Sequence, residues 1–244
     1  MSISLPVALH IPDGFLSGGV AAVATVLAVA AVAVALRVAD KELDEDRVPM
    51  LGVLAAFIFA VQMLNFPIVG GTSGHLLGAT LAAVLLGPWL ACLVMSVVIT
   101  VQAFAFADGG ITALGANVLN MGVIGALFAG LVLGWALRAF APSRTTFLGM
   151  VAVSSWVAVM LGAAATAFQL SISGTIPLGS VLPAMLGVHA LIGIGEAVIT
   201  VAAISAVLAT RPDLIGLAKF GPAPGQQQAG QPPPAPATAG GPAA

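Results

Sequence analysis

Apolar runs long enough to cross a bilayer recur along this chain, and almost no charge interrupts them. The first, Gly18–Leu36, is 19 residues without an ionisable side chain, about 28 Å of helix at roughly 1.5 Å per residue. Only 7% of the 244 residues are Asp, Glu, Lys or Arg, and 60% are apolar; soluble domains carry about 25% charge. So little charge cannot cover a globular surface, which excludes a soluble enzyme and points to an all-α, polytopic membrane protein in the cell membrane. A net charge of −2 with no basic stripe leaves no nucleic acid as partner, only membrane lipid. The single cysteine, Cys92, excludes a disulfide framework and a cysteine zinc site. Neither lysine, Lys41 or Lys219, ends a G-x-x-x-x-G-K pattern, so the chain has no Walker A loop.

Further apolar stretches cover Pro49–Phe66, His75–Phe106, Ile111–Leu137, Phe147–Leu170 and Leu182–Leu208. The His75–Phe106 stretch reads either as one long helix or as two spans meeting at Gly87-Pro88, a turn signal. The distribution of basic residues decides between them. With two spans there, Arg37, Lys41, Arg47, Arg138, Arg144, Arg211 and Lys219 all share one face. The expectation is therefore seven transmembrane helices, N-terminus outside and C-terminus cytoplasmic. The third span, Gly74–Leu86, is then only 13 residues, about 20 Å and short of a core of roughly 30 Å. A short, glycine-interrupted segment of this kind points to a binding site, since irregular backbone survives in a bilayer only around a cavity. Residues 1–9 have no basic n-region and do not read as a signal peptide. Residues 221–244 are an uncharged Pro/Ala/Gly/Gln tail expected to be disordered.

Apart from span ends and loops, the ionisable residues are His10, Asp13, His75, Asp108, His189 and Glu196. At membrane depth each is a functional candidate. His10 sits in Leu9-His-Ile-Pro-Asp-Gly14, a turn that can fold into the bundle mouth, and His75 follows the Gly-rich segment Val69–Gly74. Two imidazoles without a cysteine suit Ni²⁺, Co²⁺, Cu²⁺ or Zn²⁺; the alternative is that each is a hydrogen-bonded cap. Asp13 either orients an imidazole or caps the first helix. Asp108-Gly-Gly reads as a turn or cap rather than a ligand. His189 and Glu196, seven residues apart, share a helix face and read as an interhelical clamp, paired with each other or with Gln102, Asn117 or Asn120. The pairs Ala24/Ala28 and Ala31/Ala35 form a small-xxx-small pattern that permits close helix packing.

Five blocks carry a resemblance. They are His10–Ser17, Gly70-Gly-Thr-Ser-Gly-His-Leu-Leu-Gly78, Gly87-Pro-Trp89, Gln102-x-x-x-Phe106-x-Asp-Gly-Gly110 with Leu114-Gly-Ala-Asn117, and His189-Ala-Leu-Ile-Gly-x-Gly-Glu196. Together they resemble the cobalt/nickel substrate-binding component of energy-coupling-factor ABC importers, over roughly residues 9–210. The resemblance implies a metal-binding transmembrane domain over residues 10–220 that captures Ni²⁺ or Co²⁺ from outside, with no covalently bound cofactor and no catalytic residue. It implies partners: a transmembrane coupling subunit, two ATPase subunits and a small two-helix accessory protein. It also implies a near-planar nitrogen set of a terminal amine, the next residue's amide and imidazole, and a glycine-loop histidine. By position these map to Leu9, His10 and His75, with Asp13, Ser73, Asn117, His189 and Glu196 as polar support. A planar set suits Ni²⁺ or Co²⁺ better than tetrahedral Zn²⁺.

Members of that family begin Met-His, whereas nine residues precede His10 here. The expectation is that translation starts at residue 9, or that the chain is trimmed to Leu9. Two other classes stand beside this reading. One is an autonomous proton-coupled transporter using His189 and Glu196 as a relay. The other is an intramembrane hydrolase, for which the required His-Glu-x-x-His is absent and Ser73-x-His75 is a weak pair.

Overall fold

The computed structural model describes residues 10–43, 47–64, 66–68, 72–140 and 143–217; for residues 42, 66–68 and 72–74 it describes the backbone alone. Leu9, the expected extension and tail, and the Ser73 side chain fall outside what is described. Seven helices occupy the described residues: α1 Gly18–Glu42, α2 Val48–Gln62, α3 Ala79–Leu86, α4 Pro88–Phe106, α5 Leu114–Phe140, α6 Arg144–Ile172 and α7 Leu178–Thr210. Five of them, α1, α4, α5, α6 and α7, are long and apolar enough to cross a membrane. Their outward faces are apolar: Ile172 and Leu191 expose 73% and 71% of their surface, as lipid-facing side chains do. The chain is a multi-pass membrane protein.

Local chemistry sets the helix ends. The Ser17 hydroxyl accepts from Val20 N–H at 3.4 Å, and Ser143 caps Thr146 at 3.2 Å. Pro49 stands in the first turn of α2, where its missing N–H costs nothing. The Gly87-Pro88 break separates α3 from α4, so this stretch is two helices. Between Val118 and Phe128, α5 is wound as a π-helix, a form concentrated at functional sites.

Between α2 and α3 the chain does not make two simple crossings. The Pro49–Phe66 run ends as helix at Gln62 and continues into a short antiparallel hairpin, β1 Phe66–Ile68 with β2 Thr72–Gly74, Pro67 opposite Ser73. A stretch without regular structure, 75–78, ending in left-handed Gly78 (φ +72°), then leads into α3. Only eight residues long, α3 is buried on every side, as its all-round apolar sequence requires. Its orphan C-terminal carbonyls are met from a distance. After α7 the chain makes a 3₁₀ turn, Pro212–Leu214. Gly216 then donates to Leu85 O, and Leu217 to Val84 O, each at 3.0 Å. No β-carbon fits at Gly216, where it would lie 2.5 Å from Leu85 O.

The alanine stripe of α1 packs inward. Ala24, Ala28 and Ala35 are buried, and the pattern serves the bundle itself.

Candidate metal centre

The site is built on a turn that enters the bundle mouth. Pro12 removes one N–H, and Asp13-Gly14 favours a bend, so the chain turns at residues 13–16 before α1 begins. Ile11, 1% exposed, carries the turn inward. Its N–H donates to Asn117 Oδ1 at 2.8 Å, and its carbonyl accepts from Asn117 Nδ2 at 3.1 Å and from Gly110 N–H at 2.8 Å. Asp13 Oδ1 accepts from the N–H and hydroxyl of Thr112 at 2.7 and 2.6 Å. The Thr175 hydroxyl, in the α6–α7 turn, donates to Phe15 O. Gly110 allows this docking, because a β-carbon there would stand 2.3 Å from Asp13 N.

This docking buries His10 against His75. The two are 3% and 2% exposed, with ring centroids 4.7 Å apart and planes inclined at 57°. His10 Nδ1 lies 3.0 Å from Asp108 Oδ1, an ion-pair distance though off the line of a well-formed hydrogen bond. His75 Nδ1 faces its neighbour's carbonyl, Leu76 O, at 2.9 Å. A carbonyl only accepts, so Nδ1 carries the proton and Nε2 the lone pair. That Nε2 has no hydrogen-bond partner among the described residues, and neither does Nε2 of His10. Buried and unpartnered, these nitrogens are open to a cation.

Charge at the mouth favours a cation. Burial acts to raise the Asp108 carboxyl, but its contact with His10 and the nearby imidazoles outweigh this and hold it below the ordinary carboxylate range. The Thr112 hydroxyl, then its N–H, holds Asp13 below that range too. Among the described residues no three His, Cys, Asp or Glu groups converge on one metal position. Instead His10 stands between two single neighbours, the His75 ring and the Asp108 carboxylate.

The polar residues singled out from sequence take partners other than those expected. Asp13 neither orients an imidazole nor caps α1; it pins Thr112, Ser17 caps α1, and the carboxylate beside an imidazole is that of Asp108. The left-handed cap of α4 is Ala107, φ +53°, which frees Asp108 to face His10. His189 and Glu196 do not pair. His189 Nδ1 meets Met185 O one turn away at 2.7 Å, and its buried Nε2 has no hydrogen-bond partner among the described residues. Glu196 accepts from two backbone N–H groups, Leu77 at 2.8 Å and Gly78 at 2.7 Å. Gln62 Nε2 donates to Leu77 O at 2.7 Å, a residue sequence reasoning passed over. Asn120 bonds Thr166 and Gln169, and the Gln102 amide is buried without a partner among the described residues.

Comparison with known proteins gives these features a family. Residues 10–214 match the model for the cobalt uptake substrate-specific transmembrane region. The fused nickel transport protein NikMN of Rhodobacter capsulatus is 35% identical over 221 residues, 85% of this chain and 64% of that longer protein. The cobalt transport protein CbiM of Sorangium cellulosum is 33% identical over 212 residues, 85% of this chain and 94% of the relative. The crystal structure of a truncated transition metal transporter superposes with a TM-score of 0.74 at 34% identity, covering 82% of this chain and 98% of that one. Its matched region, its helices and its relatives agree: the chain belongs to the cobalt-uptake substrate-specific transmembrane family, a membrane transport component rather than an enzyme.

Proposed function

We propose that this chain is the capture component of an ATP-driven energy-coupling-factor importer for Ni²⁺ or Co²⁺. The observation that carries the reading is the burial of His10 against His75, with neither ring nitrogen of His10 nor Nε2 of His75 in a well-formed hydrogen bond among the described residues. In this reading seven membrane segments run with the N-terminus outside, the short α2 and α3 together with their hairpin filling the second and third. The turn at residues 10–17 closes over the ion at the outer mouth. Ligands are the His10 amide and imidazole, His75 and the terminal amine of residue 9. When one residue binds through both amide and ring, the nitrogen that closes a six-membered chelate is Nδ1. Loading therefore draws His10 Nδ1 from Asp108 Oδ1 onto the ion, and the carboxylate offsets the incoming charge. Asn117 and Asp13 support the turn, Ser73 the glycine loop, and His189 and Glu196 the face of α7.

With no Walker A loop in the chain, ATP is hydrolysed by two partner ATPases acting through a coupling subunit. The fused nickel relative is longer than this chain, which supports a small accessory protein as a further partner. A proton relay through His189 and Glu196 is not favoured, since each is bonded to backbone rather than to the other.

The test is metal content and titration calorimetry of the purified chain with Ni²⁺ and Co²⁺. His75→Ala is expected to abolish binding while the protein stays membrane-inserted and monodisperse. Unchanged affinity would refute the ligand assignment.

A further inference from the structure

His75 reaches α3 within four residues, and α3 is held at both ends by one other element. At its N-terminal end the Glu196 carboxylate of α7 accepts from Leu77 and Gly78 N–H, at 2.8 and 2.7 Å. These bonds hold, from another helix, the N-cap of α3, Gly78, and the residue before it, where no side chain of α3 makes a capping bond. At the C-terminal end the strap that continues α7 donates from Gly216 and Leu217 to Leu85 and Val84 carbonyls. Gln62 of α2 holds the same Leu77 peptide by its carbonyl at 2.7 Å. Glu196 is buried, at 3% exposure, with each oxygen taken by a backbone N–H.

We propose that α7 and its strap grip α3 as one unit, with Glu196 as the positioning residue for His75 and Gly216 as the point where the far end of the bundle is linked to the site. The inference rests on the proposed capture function. A carboxylate is the side chain suited to two converging N–H donors. A displacement of the strap moves α3 along its axis, and with it the peptide that follows His75. Sub-ångström shifts suffice, because a packed interior transmits strain rather than absorbing it. Motion at the end of α7 thereby changes how His75 meets the ion, a physical route by which work done there loosens the cargo.

The experiment uses the full chain in detergent with Ni²⁺ as the probe, reading Kd, the dissociation rate and the rise in Tm that saturating Ni²⁺ produces. Glu196→Gln keeps the size but leaves an amide N–H₂ against a backbone donor. It is expected to weaken Kd about 10- to 100-fold, as loss of a ligand-orienting partner does. Glu196→Asp keeps two acceptors and is expected to restore part of that loss; it also serves if the Gln variant fails to fold. Gly216→Ala places a β-carbon against Leu85 O and is expected to change Kd or the dissociation rate roughly 2- to 30-fold. A merely structural role lowers Tm with and without Ni²⁺ alike, whereas positioning shrinks the rise that Ni²⁺ produces. In the double variant the effects on Kd are expected to be non-additive. Wild-type Kd in Glu196→Gln, wild-type binding in Gly216→Ala, or strict additivity each overturns the proposal. His75→Ala is the control: if it too binds normally, the capture reading itself has failed; if it abolishes binding while these variants bind normally, only this inference has.

Discussion

Asn117 grips Ile11 by both sides of its backbone, accepting from its N–H at 2.8 Å and donating to its carbonyl at 3.1 Å. Residue 10 is thereby placed by residue 117, although 106 positions separate Asn117 from Ile11. Asn117→Ala removes both contacts and leaves a buried peptide N–H unsatisfied, a cost of about 1–3 kcal/mol. We expect Ni²⁺ affinity to fall about 10- to 100-fold with the helical content unchanged. Asn117→Asp, which keeps the acceptor, is expected to fall less. Calorimetry with circular dichroism on the same samples separates the outcomes; equal affinity in the Ala variant means the turn does not need this clamp.

Asp108 Oδ1 lies 3.0 Å from His10 Nδ1. Asp108→Ala removes the carboxylate beside the His10 ring and with it a negative charge from the mouth. The expected loss of Ni²⁺ affinity is about tenfold or more, with Asp108→Asn intermediate because it retains an acceptor but not the charge. An Asp108→Asn variant as weak as the Ala variant would show that charge, not orientation, is the contribution.

The pH dependence divides between carboxylates and nitrogens. Asp13 and Asp108 both titrate below the ordinary carboxylate value of 3.8 in the folded chain. A depressed carboxylate stabilises the fold fully above its unfolded value and loses that effect as pH falls through its folded one. The docked turn is therefore expected to stay pinned from neutral pH down to about pH 4. Metal affinity needs deprotonated ligand nitrogens and is expected to fall with pH before the turn is released. Hydrogen exchange of the turn alongside Ni²⁺ titration at each pH checks this. Loss of exchange protection in step with affinity would contradict it.

The terminal amine gives the fourth prediction. If residue 9 begins the mature chain, intact-mass analysis will show loss of the first eight residues, and residues or a tag placed directly before His10 will abolish binding. A mature chain beginning at Met1 or Ser2 and binding Ni²⁺ at full affinity would remove the amine from the ligand set.

Much of the architecture was legible because each feature leaves a local trace. Gly87-Pro88 marks the α3–α4 break, and His10 and His75 stand out as ionisable groups among apolar neighbours. The hairpin after Gln62 was hidden, since its apolar residues prolong the α2 run without a change in composition. The partners of Asp108, Asn117 and Glu196 were hidden for another reason. Two of these side chains bind backbone groups over 100 positions away, and a peptide group has no residue type to betray it. Asp108 read as a turn residue because the glycines that follow it are also what turns use.

The brevity of α3 has an electrical consequence. His75 stands four residues before a helix of only eight residues, about 12 Å long. In the proposed orientation an ion that leaves His75 inward crosses part of the membrane field. Each elementary charge crossing the full field gains about 2.3 kcal/mol per 100 mV, so a divalent ion gains about twice that. In a cell whose interior is negative, a cargo freed from His75 is already driven towards the cytoplasm by the potential.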